Sequence, residues 1–188
     1  KKFLLTLGDP DPKITGKDVT IIKSTSDSDL LISYTDFIRK YNPNIIVGYN
    51  ILGFDIPYMI ARAKYGCNAC CISEFDKQVF HKTKHAKEKI IKWSSSAYEN
   101  KEFECLDAEG RVYVDLLPLV KRDFKVSNYK LKTSSEYFVG ETKDPLDAKG
   151  IFKCYRMGIV KNDIGGYDRK ARKAMAIVGK YCVQDSAL

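Results

Sequence analysis

The sequence has few of the features that would place the chain in a membrane or outside the cell. No apolar run approaches the roughly 20 residues that span a bilayer, and no signal-peptide pattern opens the chain. Only six cysteines occur among 188 residues, which does not indicate a disulfide framework in a chain of this length. We therefore expect an intracellular protein with reduced cysteines and no membrane partner.

Internal repeats and low-complexity segments are also absent. What remains is the composition of an ordinary globular domain, with 44% hydrophobic and 30% charged residues. Lysine and arginine exceed aspartate and glutamate by 32 to 24, so the formal net charge is +8. A basic surface of this size favours a polyanionic partner.

The most informative stretch runs from Pro43 to Tyr58. A β-branched run at residues 45–47 predicts a short buried strand, central in a sheet, because a proline precedes it and Gly48 follows. Asp55 then lies just beyond the carboxyl end of this strand, where open α/β sheets place their ligands. The alternative is that Asp55 only caps the helix that begins at Ile56-Pro57.

The rest of the pattern predicts an α/β fold. Strands are expected at 1–8 and 18–23, and the periodicity predicts helices at 29–41 (capped by Ser26 or Ser28), 57–64, 116–124, 127–138, 145–157 and 168–188. Residues 67–102 have no clear period and are interpreted as an excursion, either a long loop or a partly ordered hairpin arm. A hairpin is expected to pair 103–106 with 111–116.

Tyr181 and Asp185 are four residues apart in the last predicted helix, so they share one face. Together with Asp55 they could line one site. Carboxylates are the oxygen ligands that Mg²⁺ and Mn²⁺ prefer, and metal pairs in nucleases activate water. Taken alone, the two helical residues would equally be a half-buried tyrosine and a surface acid.

Two motifs of this sequence resemble the exonuclease domain of family B DNA polymerases. Gly48-Tyr49-Asn50 with Phe54-Asp55 resembles the second exonuclease motif, and Tyr181-x-x-x-Asp185 resembles the third. The segments 110–117 and 127–131 also look like this domain, and 140–157 is most similar to polymerases of large DNA viruses. The resemblance covers nearly the whole chain except residues 67–102.

This resemblance implies a ribonuclease-H-like fold, a mixed sheet flanked by helices, and 3′→5′ proofreading of single-stranded DNA. Asp55 and Asp185 would then be ligands of two Mg²⁺ or Mn²⁺ ions, and Tyr181 would orient the attacking water. Asn50 and Phe54 would contact the terminal nucleotides. The implied partners are a primer 3′ end, the remaining polymerase domains and, as a further candidate, a processivity factor. A viral enzyme would work in the host nucleus or cytoplasm.

The first motif of that family, Asp-x-Glu, is missing. We expect it to precede Lys1, so the chain is interpreted as a domain fragment, 1–188, truncated at its N-terminus and nearly inactive alone. Asp107-Ala-Glu109 lies in a predicted turn between the other motifs and is not expected to replace it. A non-catalytic DNA-binding or scaffolding module and a stand-alone exonuclease are the alternatives.

Two further patterns fall in the excursion. Cys67-x-x-Cys70 and His81-x-x-x-His85 resemble a zinc-finger spacing, but their separation is short for a finger and Cys71 blurs the ligand set. We do not expect zinc. The basic tract Lys77–Lys92 is either a solvated segment or an arm that contacts phosphates.

Overall fold

The computed structural model describes residues 1–66, 87–95, 98–107, 110–142 and 144–188. The strands are β1 (Lys2–Leu7), β2 (Val19–Ser24), β3 (Ile45–Gly48), β4 (Lys87–Ser95), β5 (Tyr98–Asp107) and β6 (Val112–Asp115). The helices are α1 (Pro12–Thr15), α2 (Asp27–Tyr41), α3 (Ile56–Gly66), α4 (Leu116–Asp123), α5 (Leu131–Phe138), α6 (Ala148–Gly158) and α7 (Arg169–Asp185). A single π-helical turn, Ile51–Asp55, precedes α3. The protein is therefore of the mixed α/β class, as predicted.

The chain forms two compact units, Lys1–Leu30 with Val126–Leu188, and Leu31–Lys125. No helix in the described part of the chain is long and apolar enough to cross a membrane. The predicted Cys and His pattern and most of the basic tract lie outside the described residues. The unit that contains both chain ends is called the terminal unit below, and the other is called the middle unit.

In the terminal unit, β1 and β2 pair in parallel from Lys2↔Val19 to Leu7↔Ser24. The short helix α1 connects them, and its N-cap Asp11 accepts a 3.0 Å hydrogen bond from the Lys13 backbone N–H. Helix α7 packs against β1, α1 and α6. Asp9, in the turn after β1, forms ion pairs with Lys23 on β2 and with Arg172 on α7, so charge also joins the sheet to the helix.

Small residues let α7 lie close to its neighbours. Ala171, Ala174 and Ala176 are buried along it. A Cβ added at Gly179 would come within 2.6 Å of the Leu4 Cδ2 atom of β1. Met175 is the large side chain of this contact, and a Cβ at Gly158 of α6 would lie 3.0 Å from its Cβ atom. In the core of the terminal unit, small residues therefore let the backbones of β1, α6 and α7 approach closely around the Met175 side chain.

In the middle unit, β3 and β6 pair in parallel, Ile45↔Val112 to Gly48↔Asp115. One face of this pair packs on α2 and α3, where Ile38, Ile56, Ile60 and Ala63 form the buried cluster, with partly buried Ile46 and Tyr113 against it. Strands β4 and β5 form an antiparallel ladder from Lys87↔Asp107 to Ser95↔Tyr98. This agrees with the hairpin alternative for residues 87–102, and β5 also lies against the π-helical turn.

Two predictions about strands are wrong. Residues 103–106 pair with β4, and 112–115 pair in parallel with β3, so no hairpin joins them. The left-handed turn at Gly110 is compatible with a hairpin and with the observed pairing to β3. A long-range contact favours the pairing to β3, since the Val112 N–H donates to the Asn44 carbonyl oxygen. Strand β3 is also not buried on both faces, because Ile45 is 58% and Val47 56% exposed.

Two helices begin later than predicted because side chains capture their first amides. Asn128 Oδ1 accepts hydrogen bonds from the Lys130 N–H and the Thr133 hydroxyl, so α5 begins at Leu131 rather than at 127. Asp147 caps α6 through the Gly150 N–H, so α6 begins at Ala148 rather than at 145. The predicted bounds of α2, α3, α4 and α7 hold to within three residues. Ser26 caps α2, as predicted, with its Oγ accepting from the Asp29 N–H.

Met175→Ala is expected to destabilise the protein by about 2–5 kcal/mol, the usual cost of truncating a buried large side chain. The side chain is 1% exposed and fills the space between Gly8 and Gly158. Met157→Ala is the matched control, because Met157 on α6 is exposed and surface changes usually stay within about 0.5 kcal/mol. Urea unfolding of both variants measures the difference. Equal losses would contradict the assigned core.

Candidate functional site

The loop after β3 is compact because two glycines allow close approaches. A Cβ at Gly48 would lie 2.1 Å from the Ile51 Cγ2 atom, and a Cβ at Gly53 would lie 2.5 Å from the Asn50 Oδ1 atom. Asn50 itself is left-handed, with φ 64° and ψ 26°, a conformation that asparagine tolerates better than most residues. The chain then forms the π-helical turn that carries Phe54 and Asp55.

One buried carboxylate fixes this loop. Asp115, at the end of β6, is 7% exposed. Its Oδ1 atom accepts hydrogen bonds from the backbone N–H of Asn50 at 2.7 Å and of Leu117 at 3.0 Å, and its Oδ2 atom accepts from the Leu52 N–H at 3.1 Å. The side chain therefore caps α4 and ties the loop after β3 to the end of β6.

Asp55 differs from Asp115 because its side chain is exposed. Its backbone belongs to a continuous helical run, in which the Ile56 N–H donates to the Ile51 carbonyl oxygen. The N-cap position of this run is Asn50, so the interpretation of Asp55 as a helix cap is wrong. Partial burial raises the pKa of the Asp55 carboxyl, the negative charge of Asp115 raises it further, and a backbone hydrogen bond opposes both.

Tyr34 on α2 and Arg111 before β6 lie within electrostatic range of this site. Burial raises the pKa of the Tyr34 hydroxyl to about 12; Arg111 opposes this rise and Asp55 adds to it. Arg111 is buried and donates to the Pro43 carbonyl oxygen at 3.1 Å and to Asn42 Oδ1 at 3.3 Å. Tyr34 thus stays a neutral hydrogen-bond donor, and Arg111 anchors β6 to the turn before β3.

Phe54 on the same turn and Tyr58 in the first turn of α3 form an exposed aromatic pair. Their ring centroids are 6.2 Å apart and their planes differ by 9°. Phe54 is 63% and Tyr58 58% exposed, so neither ring is held by the core. Two parallel rings beside an exposed carboxylate form a surface on which a flat aromatic group can stack.

Tyr181 and Asp185 lie one helical turn apart at the end of α7, in the terminal unit, and both are half-buried. The neighbouring Gln184 side chain donates to the Thr142 carbonyl oxygen at 3.0 Å, and the Ser186 N–H closes the helix on the Cys182 carbonyl oxygen. Asn50, Phe54 and Asp55 lie in the middle unit. That the two sets form one metal site stays a prediction.

The sequence interpretation overlooked two contributors to this site, Asp115 and Tyr58. The signal for Asp115 was present, since an aspartate that ends a strand and directly precedes a helix is a favoured N-cap. Its bonds to Asn50 and Leu52, more than sixty residues away, had no local signal. Among the described residues, no group of three or more His, Cys, Asp or Glu side chains could hold a metal ion.

Comparison with known proteins identifies a family whose sequence model this chain matches. Residues 1–133 match the sequence model of a family described as DNA polymerase family B, exonuclease domain. The whole chain is 47% identical to DNA polymerase 120R of Invertebrate iridescent virus 3, of which it covers 16%. It is also 33% identical to the putative DNA polymerase 060R of Frog virus 3 (isolate Goorha), of which it covers 17%.

A relative outside the viruses is similar over the same length. Over 98% of this chain the identity is 32% with the DNA polymerase delta catalytic subunit of Oryza sativa subsp. japonica, of which 15% is covered. The chain thus spans about a sixth of the length of these relatives. The two viral alignments cover the whole chain and so include Tyr181 and Asp185, which the family match does not reach. Since that match covers more than half of the sequence, the chain belongs to the exonuclease-domain family of the family B DNA polymerases.

Proposed function

We propose that this chain is the proofreading part of a DNA-directed DNA polymerase and removes mispaired nucleotides from a single-stranded 3′ end. The observation that carries the proposal is the segment at residues 50–58, where an exposed carboxylate and an exposed aromatic pair lie on and next to a turn fixed by Asp115. Membership of the exonuclease-domain family supports this assignment. A ribonuclease-H-like arrangement is part of the same proposal.

The residues fit a divalent cation in part. The Asp55 carboxyl is exposed and lies near a second negative charge, and its pKa is raised, so a bound cation would relieve an unfavourable interaction. Asp115 does not fit as a ligand, since three backbone amides occupy its oxygens. Asp55 and Asp185 would hold Mg²⁺ or Mn²⁺, which supplies an activated water and stabilises the leaving oxygen.

The chain's own side chains would bind and orient the substrate. Phe54 would pack on the terminal base or sugar, because exposed rings are common stacking platforms for single strands. Asn50 would contact the terminal nucleotides from its left-handed position at the start of the turn. Tyr181 would hold the attacking water through its hydroxyl group. Asp115 would position Asn50, Phe54 and Asp55 by holding the loop that carries them.

The remaining parts of the proposal concern the whole protein. The polymerase that contains this chain would extend primers from deoxynucleoside triphosphates, and this domain would release deoxynucleoside monophosphates. Its partners would be the primer 3′ end, the other domains of the same polymerase and a processivity factor. An intracellular site of replication, the host nucleus or cytoplasm for a viral enzyme, follows from that role.

Asp55→Ala and Asp185→Ala are each expected to lower 3′→5′ degradation of single-stranded DNA by about 10²–10³-fold, the loss typical of one group that stabilises transition-state charge. Tyr181→Phe should lower it less. The measurement uses the full-length protein, Mg²⁺ and a 5′-labelled oligonucleotide, with Asp163→Asn as the exposed control. If the unmodified protein binds DNA without degrading it, the non-catalytic alternative is correct.

Asp115→Asn is expected to lower the same activity by about 10–100-fold, the usual cost of disturbing a residue that orients a metal ligand. The amide nitrogen of asparagine cannot accept the backbone N–H that one carboxylate oxygen accepts now. Hydrogen exchange should therefore accelerate at Asn50 or Leu52, which donate to Asp115. Asp123→Asn, an exposed change at the last residue of α4, is the control. Lost activity with unchanged exchange would contradict a positioning role.

Asp55→Asn is expected to stabilise the metal-free fold. The folded-state pKa of Asp55 lies above its ordinary value of 3.8, so its charge opposes folding once the pH exceeds that value. The variant should melt higher than the wild type at about pH 7 in EDTA. The gain should vanish near pH 3, where Asp55 is protonated in both the folded and the unfolded protein. Asp163→Asn controls for net charge. A lower melting temperature at neutral pH would refute the assigned electrostatics.

A further inference from the structure

Helix α6 presents one face on which an aromatic ring lies among positive charges. Lys149, Phe152, Lys153 and Arg156 fall within an arc of about 100° because successive helical residues turn by roughly that angle. All four are exposed, and Phe152 is 61% exposed. These four residues are called the α6 basic face below.

The opposite side of the helix explains why this face points outward. Helix α6 packs on α7, and Gly158 lies against Met175 there. Ile151 and Cys154 are partly buried, whereas the four residues of the α6 basic face are exposed. The terminal unit therefore does not need Phe152 for its core.

The charges of the α6 basic face are unbalanced. The helix contains no acidic residue, and within the described part of the chain none of its three cations forms an ion pair. Helix α2 shows the more usual arrangement, in which Asp27, Asp29 and Asp36 accompany its basic residues and Arg39 lies 3.7 Å from Asp36. A helix face that served only to keep the protein soluble would not need basic residues without acidic ones.

We propose that the α6 basic face binds single-stranded DNA, with Phe152 stacking on a base and Lys149, Lys153 and Arg156 contacting the phosphates on either side. Three cations and no acid complement a polyanion. The cations extend over about 10 Å of the helix axis at 1.5 Å per residue, enough to reach successive phosphates. Stacking and phosphate contacts together bind a strand without regard to its sequence.

The exposed ring selects a single strand over a duplex. Bases in a duplex are stacked on each other and their faces are not accessible to a side chain on the surface, whereas an unpaired base offers its face. The proposed function supplies a ligand of this kind, and to that extent the inference rests on it. Binding at α6 needs no hydrolysis, so the two can be tested apart.

The first test locates the contact. The full-length protein with Asp55→Asn and Asp185→Asn is photo-cross-linked in EDTA to an oligothymidylate that carries 5-iododeoxyuridine, and the modified peptides are identified by mass spectrometry. We expect cross-links within residues 148–158, lost with Phe152→Ala. Cross-links at the loop 50–58 without any on α6 overturn the inference and leave the proposed function standing. Protection of α6 by another segment of the polymerase overturns it as well.

The second test measures the charges. For a single strand, log K falls with log salt by about 0.7 per neutralised phosphate, so Lys149→Gln/Lys153→Gln/Arg156→Gln should reduce the slope by about 2. Lys13→Gln/Lys17→Gln/Lys125→Gln removes the same charge from exposed positions elsewhere and should leave the slope nearly unchanged. Phe152→Ala should weaken binding roughly tenfold. Equal effects of the two triple variants, or equal competition by a duplex, overturn the inference.

Discussion

The geometry of the candidate site depends on one buried carboxylate. A buried charge is costly unless hydrogen bonds replace the water it has lost, and Asp115 receives three backbone N–H groups from two separate parts of the chain. The same bonds hold Asn50 in its left-handed conformation and close the loop on the end of β6. Without that acceptor, three amides would lose their common partner and the turn that carries Phe54 and Asp55 would lose its support.

The charge of Asp115 also acts on the carboxyl group of Asp55. Burial raises the pKa of Asp55 and the charge of Asp115 raises it further, so the ionised form of Asp55 is unfavourable in the metal-free protein. Functional sites commonly retain such unfavourable charge because it is useful when the ligand binds. On the proposed function, the cation that binds Asp55 offsets the repulsion, while Tyr34 remains protonated beside it.

Local patterns were sufficient for most of the fold, and long-range contacts account for the errors. The periodicity of α2 and α7 and the turn residues that bound β1 predicted those elements closely. The partner of β6 could not be predicted locally, because the bond from the Val112 N–H to the Asn44 carbonyl oxygen joins residues far apart in the sequence. The prediction that Ile45 and Val47 are buried failed for a related reason. A β-branched run predicts a strand but does not show which residues cover each of its faces. Within the site, the motif predicted Asn50, Phe54 and Asp55, whereas the role of Asp115 depends on amides that only the fold brings near it.

Each of the two units has an exposed phenylalanine beside charged side chains. A buried phenylalanine contributes about 2 kcal/mol or more to folding, and that contribution is largely forgone at Phe54 and Phe152, which are 63% and 61% exposed. Each lies beside charge, Phe54 next to the carboxylate of Asp55 and Phe152 among the cations of α6. A protein that must process strands of any sequence cannot read base edges, and stacking together with phosphate contacts is the recognition that remains. On the proposed function and the proposed contact at α6, an unpaired strand would account for the exposed ring beside charge in each unit.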